Sequence, residues 1–196
     1  MKTIVCHGDS LTEGADVDQN DSWPALVEQA LNIRIVNSGI SGDTTGGLLS
    51  RFYHDVIPHR PGIVIIMAGT NDLWWDLNIN VILSNIFSMT CQAQHHGIIP
   101  VIGLPLPVHL DAALKQNMLE PIGGFNKCVA KLSKLINALR DTADNSEVAC
   151  MNFNRDFFDQ KGNLLENLFF EDGLHPNTDG HRRMAQTATR FLRPLI

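Results

Sequence analysis

The chain has 196 residues, 44% hydrophobic and 18% charged, with 15 Gly and 9 Pro, which supplies a sizeable core, argues against disorder and suits a single domain over residues 1–196. Fifteen Lys and Arg against 21 Asp and Glu give a formal net charge of −6 with no long run of either sign, so the clustered positive charge of a nucleic-acid footprint is missing. Apolar runs such as Ile63 to Ala68 fall far short of the roughly 20 residues that span a bilayer.

In chain order, Lys2 to Cys6 is an apolar run ended by His7-Gly8-Asp9 and reads as a strand entering a loop. Met1 to Val5 leads directly into that turn, without the basic segment, apolar stretch and cleavage site of a secretory leader. A cytoplasmic protein is therefore expected, or a periplasmic or secreted one if a leader has been removed. Ser22 offers a cap and Pro24 suits a first turn, so apolar spacing through Ala25, Leu26, Ala30 and Leu31 predicts a helix. Ile33 to Val36 reads as a second strand, and Leu48 to Ile57 as a helix that stops before Pro58.

Ile63 to Met67 is apolar at every position, as expected of a strand buried on both faces of a parallel sheet. Asn78 to His96 predicts a long helix closed by Gly97, and Ile98 to Leu104 a fourth strand stopped by Pro105 and Pro107. Asp111 to Leu119 is either a short helix or a loop. Helical spacing through Val129, Leu132, Leu135, Ile136 and Leu139 predicts a helix over Phe125 to Leu139, followed by a strand over Val148 to Phe153 and a last helix over Asn177 to Leu192. This alternation implies a parallel sheet of about five strands covered on both faces, a three-layer α/β/α domain. Cys6, Cys91, Cys128 and Cys150 show no paired spacing and lie in apolar contexts, so they are expected to be buried thiols in a reducing compartment. No heptad or surplus apolar stripe argues for assembly, and the oligomeric state stays open.

In such a sheet, functional groups gather beyond the carboxyl ends of the strands. Four polar clusters fall there: Gly8-Asp9-Ser10-Leu11, Ser41-Gly42-Asp43-Thr44, Gly69-Thr70-Asn71-Asp72, and Asp172-Gly173-Leu174-His175 before the last helix. Together and in this order they closely resemble the four blocks of the SGNH (GDSL) hydrolases, the Ser41 to Thr44 block being most similar to the small bacterial esterase and lysophospholipase branch. The resemblance spans Asp9 to His175 and implies a flavodoxin-like three-layer fold.

The residue chemistry points the same way. A serine hydroxyl is a poor nucleophile at neutral pH unless a base takes its proton, which histidine can do; Ser10 and His175 fit those roles. Asp172, three residues before His175, is placed to accept the other ring proton. The resemblance implies three oxyanion donors: the Ser10 N–H, the Gly42 N–H and the Asn71 side-chain amide. Asp9 reads as a loop-fixing carboxylate rather than a catalytic one. Thr44-Thr45-Gly46-Gly47 lacks the Lys and spacing of a phosphate-binding loop and reads as the start of a helix. No His, Cys or acidic cluster has metal-ligand spacing, and neither metal nor organic cofactor is expected.

Trp74 and Trp75 follow the third block, so at least one is expected near an acyl pocket, with packing as the competing role. Asp111 to Gly123, with Leu110, Leu114, Met118 and Leu119 as its apolar residues, is either a flap beside the site or a satellite core. The expected activity is hydrolysis of short to medium acyl esters, of carboxylesterase, arylesterase or lysophospholipase type, through an acyl-enzyme on Ser10. Carbohydrate acetylesterase and acyl-CoA thioesterase are the alternatives within the resemblance. A catalytically silent sugar-binding relative and a flavodoxin-like module for a flavin or nucleotide are the non-catalytic ones.

Overall fold

The computed structural model describes residues 3–116 and 119–196. Its strands are β1 (Ile4–Gly8), β2 (Ile35–Gly39), β3 (Ile63–Met67), β4 (Ile99–Leu104) and β5 (Ala149–Asn152). They form one parallel sheet in the order β2-β1-β3-β4-β5, the flavodoxin-like doubly wound arrangement. Alternate residues of β3 feed opposite layers. Val64 and Ile66 pack with α3 (Thr45–Asp55), α5 (Ile79–His95) and α7 (Phe125–Asn145), while Ile63, Ile65 and Met67 pack with α2 (Trp23–Leu31) and α8 (Thr178–Leu192). Every residue of β3 is buried, as its unbroken apolar run requires. Among the described residues, no helix is long and apolar enough to cross a membrane.

The elements arise from local chemistry. The Thr44 side chain accepts from the Gly47 N–H and caps α3, the Asn78 side chain caps α5 through Asn80, and the Asn177 side chain takes the N–H groups of Asp179 and Gly180 at the head of α8. Asn32 closes α2 in the left-handed conformation.

Several expectations need correction. The first strand continues to Gly8, so His7 and Gly8 belong to the sheet, because both find parallel partners on each side; Lys2 lies outside the described residues. The second strand is displaced to Ile35–Gly39, where it pairs with β1 throughout. Helix α3 starts at Thr45, three residues before the first periodic leucine, because Thr44 supplies the cap. Helix α7 runs on to Asn145, since Ala143 continues its buried face. Ser22 occupies the cap position of α2 without capping it: its hydroxyl donates to the Gln19 carbonyl. Cys6 and Cys128 are buried, but Cys150 is only partly so and Cys91 stands exposed on α5. In the ambiguous stretch, Leu110–Ala113 forms a short helix, α6; Met118 lies outside the described residues.

His181 of α8 replaces Ser22 as the tie at the head of α2. Its Nδ1 accepts the Trp23 N–H at 3.2 Å, and the imidazole is fully buried. Burial, with a smaller contribution from the charge on His175, pushes its pKa down to about 4. The unfolded chain, titrating near 6.5, therefore takes up this proton first as the pH falls. Stability is unaffected above that value and is lost on the way down to about 4, at no more than about 1.4 kcal/mol per pH unit. Urea unfolding of wild type and His181→Gln at pH 7 and pH 5 checks this: the stability difference should shift against wild type at pH 5, and a difference independent of pH would contradict it. Other titrating groups are common to both proteins and cancel.

Candidate active site

Parallel pairing sets Gly8 level with Gly39 on one side and with Met67 on the other. Three of the predicted clusters therefore leave the sheet side by side at the carboxyl ends of β2, β1 and β3. Ser10 opens the short helix α1 (Ser10–Glu13), whose cap is Asp9. Asn71 lies on α4 (Thr70–Trp74), entered through Gly69 at φ 120°. A side chain at Gly69 would also meet the Leu135 side chain at 2.7 Å, so both backbone and packing demand glycine there.

The fourth cluster arrives from the far end of the chain. His175 Nε2 lies 3.0 Å from Ser10 Oγ, and His175 Nδ1 lies 2.6 Å from Asp172 Oδ2. The other Asp172 oxygen accepts the N–H groups of Leu174 at 2.8 Å and His175 at 3.0 Å. One carboxylate thus fixes both the ring and the backbone of His175. An Nδ1–H donated to Asp172 leaves Nε2 as the acceptor for the Ser10 hydroxyl, the arrangement needed to take a proton from that oxygen.

Electrostatics reinforce the geometry. Burial works against an imidazolium at His175, but the Asp172 carboxylate outweighs it through its hydrogen bond and its charge, with help from Asp16 and Asp9, and the pKa stands above 6.5. Burial likewise disfavours the Asp172 carboxylate, and the bonds from the His175 ring and from the His175 and Leu174 N–H groups override it, so its pKa falls below the usual range. Asp9 behaves oppositely. It is almost fully buried, one oxygen accepts the Leu11 N–H at 3.0 Å, and the other has no partner among the described residues. Burial pushes its pKa up to about 7.

Ser10, Asn71 and His175 line one cavity of about 50 Å³ with Leu11, Thr70, Trp74, Leu106, Pro107, Val108 and Leu174. Gly42 does not line it; this residue is exposed at φ 78° on the neighbouring loop. The link runs through the next residue, because Asn71 Nδ2 donates to the Asp43 carbonyl at 2.9 Å. Of the two tryptophans, Trp74 lines the cavity, stacked edge-on against Phe125, whereas Trp75 is 52% exposed. Leu106 to Val108, just beyond β4, also line the cavity, and the later segment singled out by its leucines does not. Their position at a strand end was the available signal. Ile122, from that later segment, instead donates its N–H to the Trp74 carbonyl at 2.9 Å. A larger cavity of about 530 Å³ lies past Pro107 and Val108, and neither Ser10, Asn71 nor His175 lines it.

Asp16, Asp172 and His175 bring three possible metal-ligand atoms within 4.8 Å of one another, a grouping that spacing along the chain does not reveal. The Nδ1–Oδ2 hydrogen bond already occupies two of these groups with each other.

A family model described as "GDSL-like Lipase/Acylhydrolase family" matches residues 6–183. The chain is 24% identical over 201 residues to a protein named "Esterase TesA" from Pseudomonas aeruginosa, covering 100% of this chain and 90% of that one. It is 38% identical over 99 residues to an "Arylesterase" from Vibrio mimicus, covering 48% of this chain and 50% of the relative. Among solved structures, a G-D-S-L family chain from Desulfitobacterium hafniense superposes with a TM-score of 0.82 at 27% identity, covering 97% of this chain and 99% of that chain.

The electrostatic pairing can be read directly. In an NMR titration, the His175 ring should titrate above 6.5, and Asp172→Asn should lower its midpoint, since burial then meets no opposing carboxylate at Nδ1. An unmoved midpoint would show that Asp172 does not hold the imidazolium.

Proposed function

Because the chain belongs to the GDSL-like lipase/acylhydrolase family, we propose that it is a serine acyl-ester hydrolase acting on short to medium acyl esters. The observation that carries this reading is the unbroken line from Asp172 through His175 to Ser10, at 2.6 and 3.0 Å.

In this mechanism Ser10 Oγ attacks the ester carbonyl as His175 Nε2 takes its proton, and Asp172 steadies the imidazolium. The carbonyl π electrons move onto oxygen. The Ser10 N–H, the Gly42 N–H and the Asn71 amide hold that oxyanion. Collapse breaks the bond to the leaving oxygen, which receives the proton from His175 and departs as the alcohol. Water, deprotonated by the same imidazole, then attacks the acyl-Ser10 ester and releases the acid, restoring the serine.

The cavity supports the chain-length part of the proposal. About 50 Å³ is small against the roughly 300–1,000 Å³ of a typical small-molecule pocket, so it encloses the carbonyl end and little more. Longer chains must run over the apolar edge formed by Trp74, Pro107 and Val108. A relative named "Acetylxylan esterase" from Geobacillus stearothermophilus, 26% identical over 82% of this chain, keeps deacetylation within this range of substrates.

Hydrolysis of p-nitrophenyl acetate, butyrate, octanoate and palmitate by wild type, Ser10→Ala and Asn71→Ala tests the proposal. Turnover should favour the acetate and butyrate, fall by several orders of magnitude in Ser10→Ala, and fall about 10²–10³-fold in kcat in Asn71→Ala. Equal trace rates for wild type and Ser10→Ala would overturn the nucleophile assignment, and a preference for palmitate would overturn the chain-length assignment.

A further inference from the structure

Behind the loop Ser41-Gly42-Asp43 lies a polar cluster that the proposed chemistry does not use. The Arg51 side chain, on α3 and 16% exposed, donates from Nε to Asp43 Oδ2 at 2.7 Å and from Nη1 to Asp55 Oδ2 at 2.7 Å. Nη1 also reaches the Ser38 carbonyl at 3.0 Å and the Ser38 hydroxyl at 2.8 Å, while Nη2 donates to the Gly8 carbonyl at 3.0 Å. One guanidinium therefore grips the end of β1, the end of β2 and the loop beyond β2. A planar fork with donors on all sides can do this, and an ammonium cannot.

Asp43 is the point where this grip meets the site. Its side chain is held by Arg51, and its carbonyl accepts the Asn71 amide. On the other flank of Gly42, a Glu13 side-chain oxygen accepts both the N–H and the hydroxyl of Ser41. Glu13 belongs to the helix that Ser10 opens. Gly42 is bracketed from both sides, once from the helix bearing Ser10 and once from Arg51.

The Thr44-Thr45-Gly46-Gly47 run finds its reason here too. A side chain at Gly47 would stand 1.8 Å from Asp43 Oδ1, so glycine at this helical position leaves the room that the Asp43 carboxylate occupies against α3. His7, fully buried behind the cluster, completes it as a neutral ring. Its Nε2 lies 3.0 Å from the Leu48 carbonyl and its Nδ1 lies 3.1 Å from the Ser38 hydroxyl.

We infer that Arg51, acting through Asp43, is a positioning residue for oxyanion stabilisation: it holds the Gly42 N–H and the carbonyl that seats the Asn71 amide in fixed register with the end of β1 that carries Ser10. The inference rests on the proposed serine hydrolase mechanism. A donor site displaced by about 1 Å loses roughly 10²-fold in rate, so the effect belongs in kcat and not in KM.

The test measures kcat, KM and thermal midpoint on p-nitrophenyl acetate for Arg51→Lys and Gly47→Ala, each alone and combined with Asn71→Ala, with Ser10→Ala as reference. Arg51→Lys keeps the charge and loses the fork. Gly47→Ala favours the helix intrinsically and displaces the Asp43 carboxylate, so it carries the test where Arg51→Lys fails to fold. Both should lower kcat roughly 10- to 100-fold with KM little changed, and the same kcat loss should appear in Gly47→Ala even though its Arg51 keeps the fork. In the Asn71→Ala background both losses should shrink, because part of what they disturb is already gone. Losses that multiply unchanged with Asn71→Ala, or wild-type kcat in both variants, would overturn the inference while an inert Ser10→Ala leaves the hydrolase reading standing. An active Ser10→Ala would remove the reading beneath it.

Discussion

Level strand ends are the constraint from which the site follows. In a parallel sheet each strand leaves at the same edge, and the pairings Gly8 with Gly39 and Gly8 with Met67 put three loops within reach of one another before any side chain contributes. What remains is local. Asp9 turns the chain into a helix at Ser10, Gly69 permits the sharp entry that puts Asn71 on α4, and Asp72, buried beside it, takes the Thr45 N–H at 2.9 Å and the Thr45 hydroxyl at 2.5 Å. That last pair of bonds joins the head of α4 to the head of α3, so the loops beyond β2 and β3 are not independent bodies. Helix α8 closes the arrangement by packing on α2, which brings the segment before it, and with it His175, over Ser10.

Two aspartates that act on His175, Asp9 and Asp172, show how environment separates identical side chains. Asp9 is almost fully buried with a single N–H donor to one oxygen, and burial dominates, lifting its pKa to about 7. Asp172 is only partly buried, takes two backbone N–H groups on one oxygen and the imidazole on the other, and its pKa is held below the usual range. Only the second can balance an imidazolium at every neutral pH. Titratable neighbours pushed in opposite directions are a recognised mark of divided labour, and here the division favours Asp9 as the support of the loop and Asp172 as the partner of the ring.

Much of this was legible in the sequence where the signal is periodic or positional. Ile63 to Met67 reads as a doubly buried strand and is one, because five successive apolar residues have no solvent face to offer. Strand β2 was misplaced because Asn37, Ser38 and Gly39 are poor strand formers by propensity; pairing with β1 and the side-chain bonds of Asn37 to the Thr12 and Glu13 carbonyls override it. The candidates Ser10 and Asn71 stand out because their chemistry follows strand ends, whereas Asp172 and His175 stand out because their block, just before the last helix, resembles the fourth block of the family. Arg51 does not, since one arginine on an amphipathic helix carries no mark of what it faces. Its meaning lies in Gly8, Ser38 and Asp43, which are distant in sequence and meet only when the sheet is formed.

Cavity size is a poor guide to the chemistry in this fold, and the reason is physical. The 530 Å³ space past Pro107 and Val108 is ten times the volume at Ser10, yet it holds no nucleophile beside a base. Its one close acid–base pair is His109 with Glu166 at 3.6 Å, beyond hydrogen-bond length. Ester hydrolysis needs rigid donors around one carbonyl oxygen and a base within reach of one hydroxyl; the alcohol and most of the acyl chain need only a surface. A small space with an apolar edge meets that demand, because it orders the groups around the carbonyl while the rest of the substrate is left unconstrained. Rigid polar contacts, not volume, therefore locate the site, and Asp43, Asp72 and Asp172 supply them by tying its loops to their neighbours.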